Sequence, residues 1–193
     1  RTKQFFETEG MIITPYLTSP VILEFGLPLN PAVLWTLSWA TPVLKNSEEP
    51  GNFTTHINYV GGGDKLSYLS GISYLQEEKV HLVEAYGGIH YNHLSWTGAI
   101  SRADNWIDAG ISIAVYQEIA YEIFQGLHLL GKYDFFDPNM DFLTGALSRY
   151  SLGLDIFPLN ILEIKLQARF NQVDAKEYKQ KKPELLLQTH FYF

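Results

Sequence analysis

Polar and apolar residues alternate with a period of two through most of this chain. Leu162, Ile164, Leu166, Ala168 and Phe170 share one side of an extended segment, and Glu163, Lys165, Gln167 and Arg169 share the other. Tyr150, Leu152, Leu154 and Ile156 oppose Arg149, Ser151, Gly153 and Asp155 in the same way. Ala109, Ile111, Ile113 and Val115 oppose Asp108, Gly110, Ser112 and Ala114, and Phe53, Thr55, Ile57 and Tyr59 oppose Thr54, His56 and Asn58. The final ten residues put Leu185, Leu187, Thr189, Phe191 and Phe193 on one face and Glu184, Leu186, Gln188, His190 and Tyr192 on the other.

This pattern predicts about twelve strands, over roughly 3–14, 20–27, 32–43, 52–60, 66–76, 80–90, 93–101, 107–116, 119–133, 147–157, 160–171 and 184–193. The first 50 residues hold Pro15, Pro20, Pro28, Pro31 and Pro42, so ten or fourteen strands also fit. Two connections share a phrase, Leu27-Pro28-Leu29-Asn30 and Phe157-Pro158-Leu159-Asn160. Proline cannot donate to a ladder and belongs where pairing stops. Alternation alone does not say which face is inside, because a two-sheet sandwich alternates too.

Composition narrows the choice. Of 193 residues, 18% are charged, below the roughly 25% of soluble domains. Aromatics make up 15%. No run nears the ~20 apolar residues of a spanning helix. A transmembrane barrel needs only every second residue apolar, so the all-β reading and the membrane reading agree. The net charge of −7 argues against a nucleic-acid partner. Without cysteine the chain has no disulfides, thiolate chemistry, cysteine zinc sites or covalent c-type haem. The given sequence begins at Arg1 without Met and contains no stretch resembling a signal peptide. The expectation is one barrel domain over 1–193, either a mature chain or the C-terminal part of a longer barrel.

An amphipathic last strand that finishes on Phe193 resembles the closing strand of Gram-negative outer-membrane β-barrels. Phe191 and Leu187 match that pattern, and Thr189 departs from it. From Tyr133 onward, Tyr133-Asp134-Phe135-Phe136-Asp137-Pro138, Arg149-Tyr150-Ser151-Leu152-Gly153-Leu154 and Phe157-Pro158 are similar to porin-like proteins of that membrane, some of which accompany multihaem cytochromes. The resemblance implies an all-β, transmembrane, antiparallel up-and-down barrel in a Gram-negative outer membrane. It also implies a periplasmic end at Phe193. Short periplasmic turns would then be Leu27–Asn30, Gly61–Asp64, Tyr91-Asn92, Gln117-Glu118 and Pro158–Asn160. The longer outward loops would be Leu44–Gly51, Ser101–Trp106, Asp134–Thr144 and Asn171–Pro183.

Candidate chemistry lies on the polar face. Arg149, Asp155, Glu163, Lys165, Arg169, Glu184 and His190 form a wall of mixed sign. In a water-filled lumen such a wall selects solutes by charge; in a plugged barrel it is a salt-bridged network. Tyr150, Phe170, Phe191 and Phe193 are candidates for an aromatic girdle, or for ordinary cross-strand packing. Asp137, Asn139 and Asp141 have the oxygen spacing of a calcium loop but lack its following Gly and distal Glu, so a solvated turn is expected. Lys176, Lys179, Lys181 and Lys182 are placed to meet lipopolysaccharide phosphates or plain solvent. His90 and His93 are a weak metal pair. No Gly-x-Ser-x-Gly elbow occurs and no Ser–His pair stands out, so no enzyme is expected. The leading expectation is a porin-like channel without cofactor, in contact with outer-membrane lipid and lipopolysaccharide. The alternative is a non-conducting barrel that holds a partner such as another envelope subunit or a cytochrome.

Overall fold

The computed structural model describes residues 22–40, 52–77, 79–106, 110–174 and 179–191. They form eleven strands: β1 (Ile22–Asn30), β2 (Val33–Ala40), β3 (Asn52–Gly62), β4 (Leu66–Glu77), β5 (Val80–Tyr91), β6 (Leu94–Asp104), β7 (Ile111–Phe124), β8 (Leu127–Asp137), β9 (Leu147–Leu159), β10 (Leu162–Asp174) and β11 (Lys179–Phe191). Each pairs antiparallel with its neighbours in chain order, giving one up-and-down sheet. The segment expected as a first strand, 3–14, lies outside the described residues, as do Ala109, Tyr192 and Phe193.

Every strand from β3 to β11 has 11 to 14 residues. That meets or exceeds the ~9–11 residues a tilted strand needs to cross a bilayer. One end of the sheet carries tight connections. Asn92 turns β5 into β6 with φ 52°, and Gly126 turns β7 into β8 with φ 86°. The other end carries the longer connection 138–146, which folds back onto β7: the Met140 amide donates to the Ile111 carbonyl at 2.8 Å.

Two boundaries differ from the sequence expectation. Gln117-Glu118 is no turn; both residues sit in the middle of β7, paired with Tyr133 and Lys132, and the turn falls at Gln125-Gly126. The expected loops also shrink. Asp134 lies in β8 opposite Arg149, and Asn171 to Asp174 pair with Lys182 to Lys179, so those lysines extend β11 rather than form a loop. Lys176 and the side chains of 179–182 lie outside the described residues. The two Pro-Leu-Asn phrases behave alike. Pro28 stands at a register shift just before the β1–β2 turn. Phe157-Pro158 faces Glu163 alone, a bulge just before the β9–β10 turn.

The polarity of the faces is the reverse of a soluble protein's. Thr36, Ser101, Ser112, Ser151, Asp155, Glu163 and Gln167 share one face and are buried. Phe25, Ile57, Ile72, Ile100, Ile119, Leu152, Leu166 and Leu187 share the other and are exposed. A single-layer sheet buries one face only by curling around it, so the polar face is concave and the apolar face convex. Leu34, Val60 and Leu69 are exceptions, exposed on the concave side of β2–β4. An apolar belt across eleven strands far exceeds the few hundred Å² of apolar patch that a soluble surface carries. A sandwich would bury this face instead.

Among the described residues the sheet is open, because β1 and β11 make no contact with each other. Both run from the loop end to the turn end. Pairing them directly would be parallel, so an antiparallel closure takes an odd number of intervening strands.

Candidate functional site

The concave face of β7–β11 carries a continuous charged wall, and register brings its members together. Asp155 on β9 lies directly across from Lys165 on β10, and Glu163 lies across from His190 on β11. Glu163 and Lys165 are two apart on one strand and therefore share a face. The Lys165 ammonium reaches Glu163 Oε1 at 2.9 Å and Asp155 Oδ2 at 3.7 Å. His190 Nδ1 is 2.6 Å from Glu163 Oε2. Two carboxylates, one ammonium and one imidazole thus form one cluster near the turn end. Glu163 and Asp155 are only 4% and 7% exposed. Small neighbours make room for this: Gly153 stands next to Asp155 on the same face, and a Cβ there would collide with Gln167.

Toward the loop end, Arg169 donates to Gln167 Oε1 at 3.3 Å through Nε, and Glu184 lies across from it on β11. Arg149 donates to Asn171 Oδ1 at 3.1 Å and faces Asp134. All seven wall residues expected from sequence therefore lie on the concave face of three adjacent strands. Further side chains of β7 and β8 belong to the wall. Lys132 on β8 and Glu118 on β7 are paired at 2.6 Å, and the Tyr116 hydroxyl donates to the same Glu118 oxygen at 2.6 Å. Asp134 completes the set. The sequence signal for them was the alternation of Tyr116, Glu118, Lys132 and Asp134 with apolar neighbours, which a turn placed at 117–118 hides.

The girdle candidates sit on the convex face. Tyr150 pairs with Phe170 in register and packs on Tyr133 with ring centroids 5.0 Å apart, near the loop end. Phe191 lies at the turn end, opposite Leu162; Phe193 is outside the described residues. Other aromatics extend both rows. At the loop end Phe53 packs at a tilt against Tyr74, which stacks on His81, and Tyr59 and Tyr68 stack at the turn end with centroids 5.6 Å apart.

Asp137, Asn139 and Asp141 do not converge on a point. The Asn139 amide donates to Asp137 Oδ1 and the Asp141 amide to Asn139 Oδ1, two successive turns in which side-chain oxygens are spent on backbone. Among the described residues no group of three metal-ligating side chains occurs. His90 hydrogen-bonds Ser95, and His93 contacts Glu122 across the β6–β7 edge at 3.2 Å, so the two imidazoles have separate partners.

No family model matches the sequence, and no curated protein matches it either. The structure is similar to the crystal structure of the outer membrane channel DcaP of Acinetobacter baumannii, with a TM-score of 0.64 at 12% identity. The match covers 89% of this chain and 62% of that one, so the chain spans less than two thirds of that channel's length. The fold is all-β, antiparallel and up-and-down, the fold of an outer-membrane channel.

Proposed function

We propose that the chain forms the wall of a porin-like channel in the outer membrane of a Gram-negative bacterium, passing small solutes or ions by passive diffusion. One observation carries this: large apolar side chains are exposed on the convex face while charged ones are sheltered on the concave face. That distribution is stable only with lipid outside and water inside. The turn end is periplasmic and the loop end faces out. The Tyr133–Tyr150–Phe170 row and the Tyr59–Tyr68 row with Phe191 lie at the two membrane interfaces, where rings with one wet edge prefer to sit. The outer row meets lipopolysaccharide. Arg149, Asp155, Glu163, Lys165, Arg169, Glu184 and His190, with Glu118 and Lys132, line the lumen. No side chain is assigned a catalytic role and no cofactor is invoked.

Two observations favour a second function, a non-conducting barrel that holds another subunit or a cytochrome. The wall cations are committed to neighbours, and Phe157 packs at a tilt against His128 on the lumen side, with ring centroids 5.8 Å apart. Both features narrow a passage. Liposome swelling with the purified protein separates the two. A channel admits small sugars at a rate that falls with solute size; a sheath leaves the vesicles as tight as empty ones.

A further inference from the structure

We propose that His93, His128 and His190 make the turn-end mouth of the lumen a charge filter set by pH, which prefers cations at neutral pH and anions in acid. This rests on the channel function proposed above. The first ground is an order of contacts. His90, His93, His128 and His190, four of the chain's six histidines, each lie within one residue of a turn-end strand terminus. Three of them alternate with acids along the register of the concave face. His93 Nδ1 lies 3.2 Å from Glu122 Oε2 on β7. Glu122 faces His128 on β8, and His128 faces Asp155 on β9. Lys165 bridges Asp155 and Glu163, and Glu163 Oε2 lies 2.6 Å from His190 Nδ1. From the β5–β6 turn to β11 the row therefore alternates base and acid without a break, beginning and ending on an imidazole.

The second ground is which of these groups titrate. Imidazole is the side chain that ordinarily gains its charge within about pH 5–8. With neutral imidazoles the row sets three carboxylates against one ammonium. With charged ones it sets four cations against three carboxylates, so its net sign reverses. A proton held between Asp155 and Glu163 moves both totals up by one and leaves the reversal in place. The His93 and His190 side chains are 63% and 44% exposed, so protons reach them from water. His128 is half-buried, and Phe157 packs against it and narrows the mouth there, which brings a solute close to the charges. The other groups packed on the row do not offset the change. Asp64 and Lys65 stand together in the β3–β4 turn, where the Lys65 carbonyl accepts from the Asn92 amide, and their charges cancel. His90 lies between Ser67 and Ser95 and titrates in the same direction. On β11 the residue across from Lys165 is Gln188, which carries no charge.

The test is the reversal potential of the full-length protein in planar bilayers under a KCl gradient, taken at about pH 7.5 and about pH 5, either side of the imidazole range. The variant combines His93→Gln, His128→Gln and His190→Gln. The control is His81→Gln, at the loop end on the convex face. The parent should prefer K+ at the higher pH and Cl− at the lower, with a change in permeability ratio of at least about fivefold, the effect of one unit charge near contact distance in water. His81→Gln should keep that swing. The triple variant should lose it while keeping the heat-modifiable band of a folded barrel. A parent that still prefers K+ in acid, or a swing that survives in the triple variant, overturns the filter. A silent bilayer defeats the channel function instead. Histidine NMR of the parent in detergent micelles, with each signal assigned by its single Gln variant, then decides the row alone, as it does if the triple variant loses the folded band. Three imidazoles that gain charge between the two pH values support the reversal, and imidazoles that keep one form throughout overturn it.

Discussion

Lys132 Nζ lies 2.6 Å from Glu118 Oε2, joining β8 to β7 across the concave face, with both side chains about a quarter exposed. The Tyr116 hydroxyl donates to the same oxygen. Removing Lys132 alone leaves a sheltered carboxylate with only that hydroxyl. We expect Lys132→Met to cost about 1–3 kcal/mol, less than the roughly 3–5 kcal/mol of a fully buried pair because water still reaches it. The double variant with Glu118→Gln should recover part of that loss. A double-mutant cycle in liposome unfolding titrations reads the coupling directly, and additive penalties would mean the pair contributes nothing.

The turn position is equally open to test. A short epitope inserted between Gln125 and Gly126 should leave assembly intact, since Gly126 already reverses the chain with φ 86°. The same epitope between Gln117 and Glu118 should abolish the heat-modifiable folded band, because both residues pair mid-strand. Tolerance at both sites would contradict the register.

Gly62 and Gly63 adjoin in one turn but differ. Gly62 has φ +114°, and a Cβ there would strike the Leu66 backbone; a Cβ at Gly63 meets nothing within 4 Å. Gly62→Ala should cost roughly 1–3 kcal/mol of backbone strain. Gly63→Ala should be nearly neutral by the same titration.

Arginine on the convex face at Ile164, Leu166 or Leu154 should cost about 2–4 kcal/mol at the bilayer midplane. Thr97→Arg is the matched control. Thr97 is exposed on the concave face beside Glu118, where a cation is welcome. Folding titrations into vesicles give both numbers, and equal penalties on the two faces would reverse the orientation assigned here.

How far the fold was legible depends on how each strand is written. β9, β10 and β11 place polar or charged residues at alternate positions, so their faces and the wall residues from Arg149 to His190 follow from period two alone. β7 and β8 do not. Gln117 and Glu118 are adjacent polar residues and look like a turn. In the fold they point to opposite faces: Glu118 meets Lys132 inside, while Gln117 on the convex side accepts from the Trp96 indole at 2.8 Å. A polar residue satisfied by a neighbouring ring is invisible to alternation. Asp134 was hidden by the Asp- and Pro-rich segment after it. Cross-strand geometry was out of reach as well. That Lys165 serves two carboxylates depends on which residue of β9 faces it, and a bulge at Phe157-Pro158 sets that register.

The central claim is that lipid meets the convex face and water the concave one. The chain has no cysteine, so single cysteines for nitroxide labelling can be placed one at a time along β10 from Glu163 to Phe170 without background. Collision with oxygen, which dissolves in lipid, and with a water-soluble nickel chelate should each oscillate with a period of two residues, out of phase with each other. Ile164, Leu166, Ala168 and Phe170 should peak for oxygen, and Glu163, Lys165 and Arg169 for the chelate. Oxygen maxima at Lys165 and Arg169, or two profiles that rise and fall together, would contradict the account.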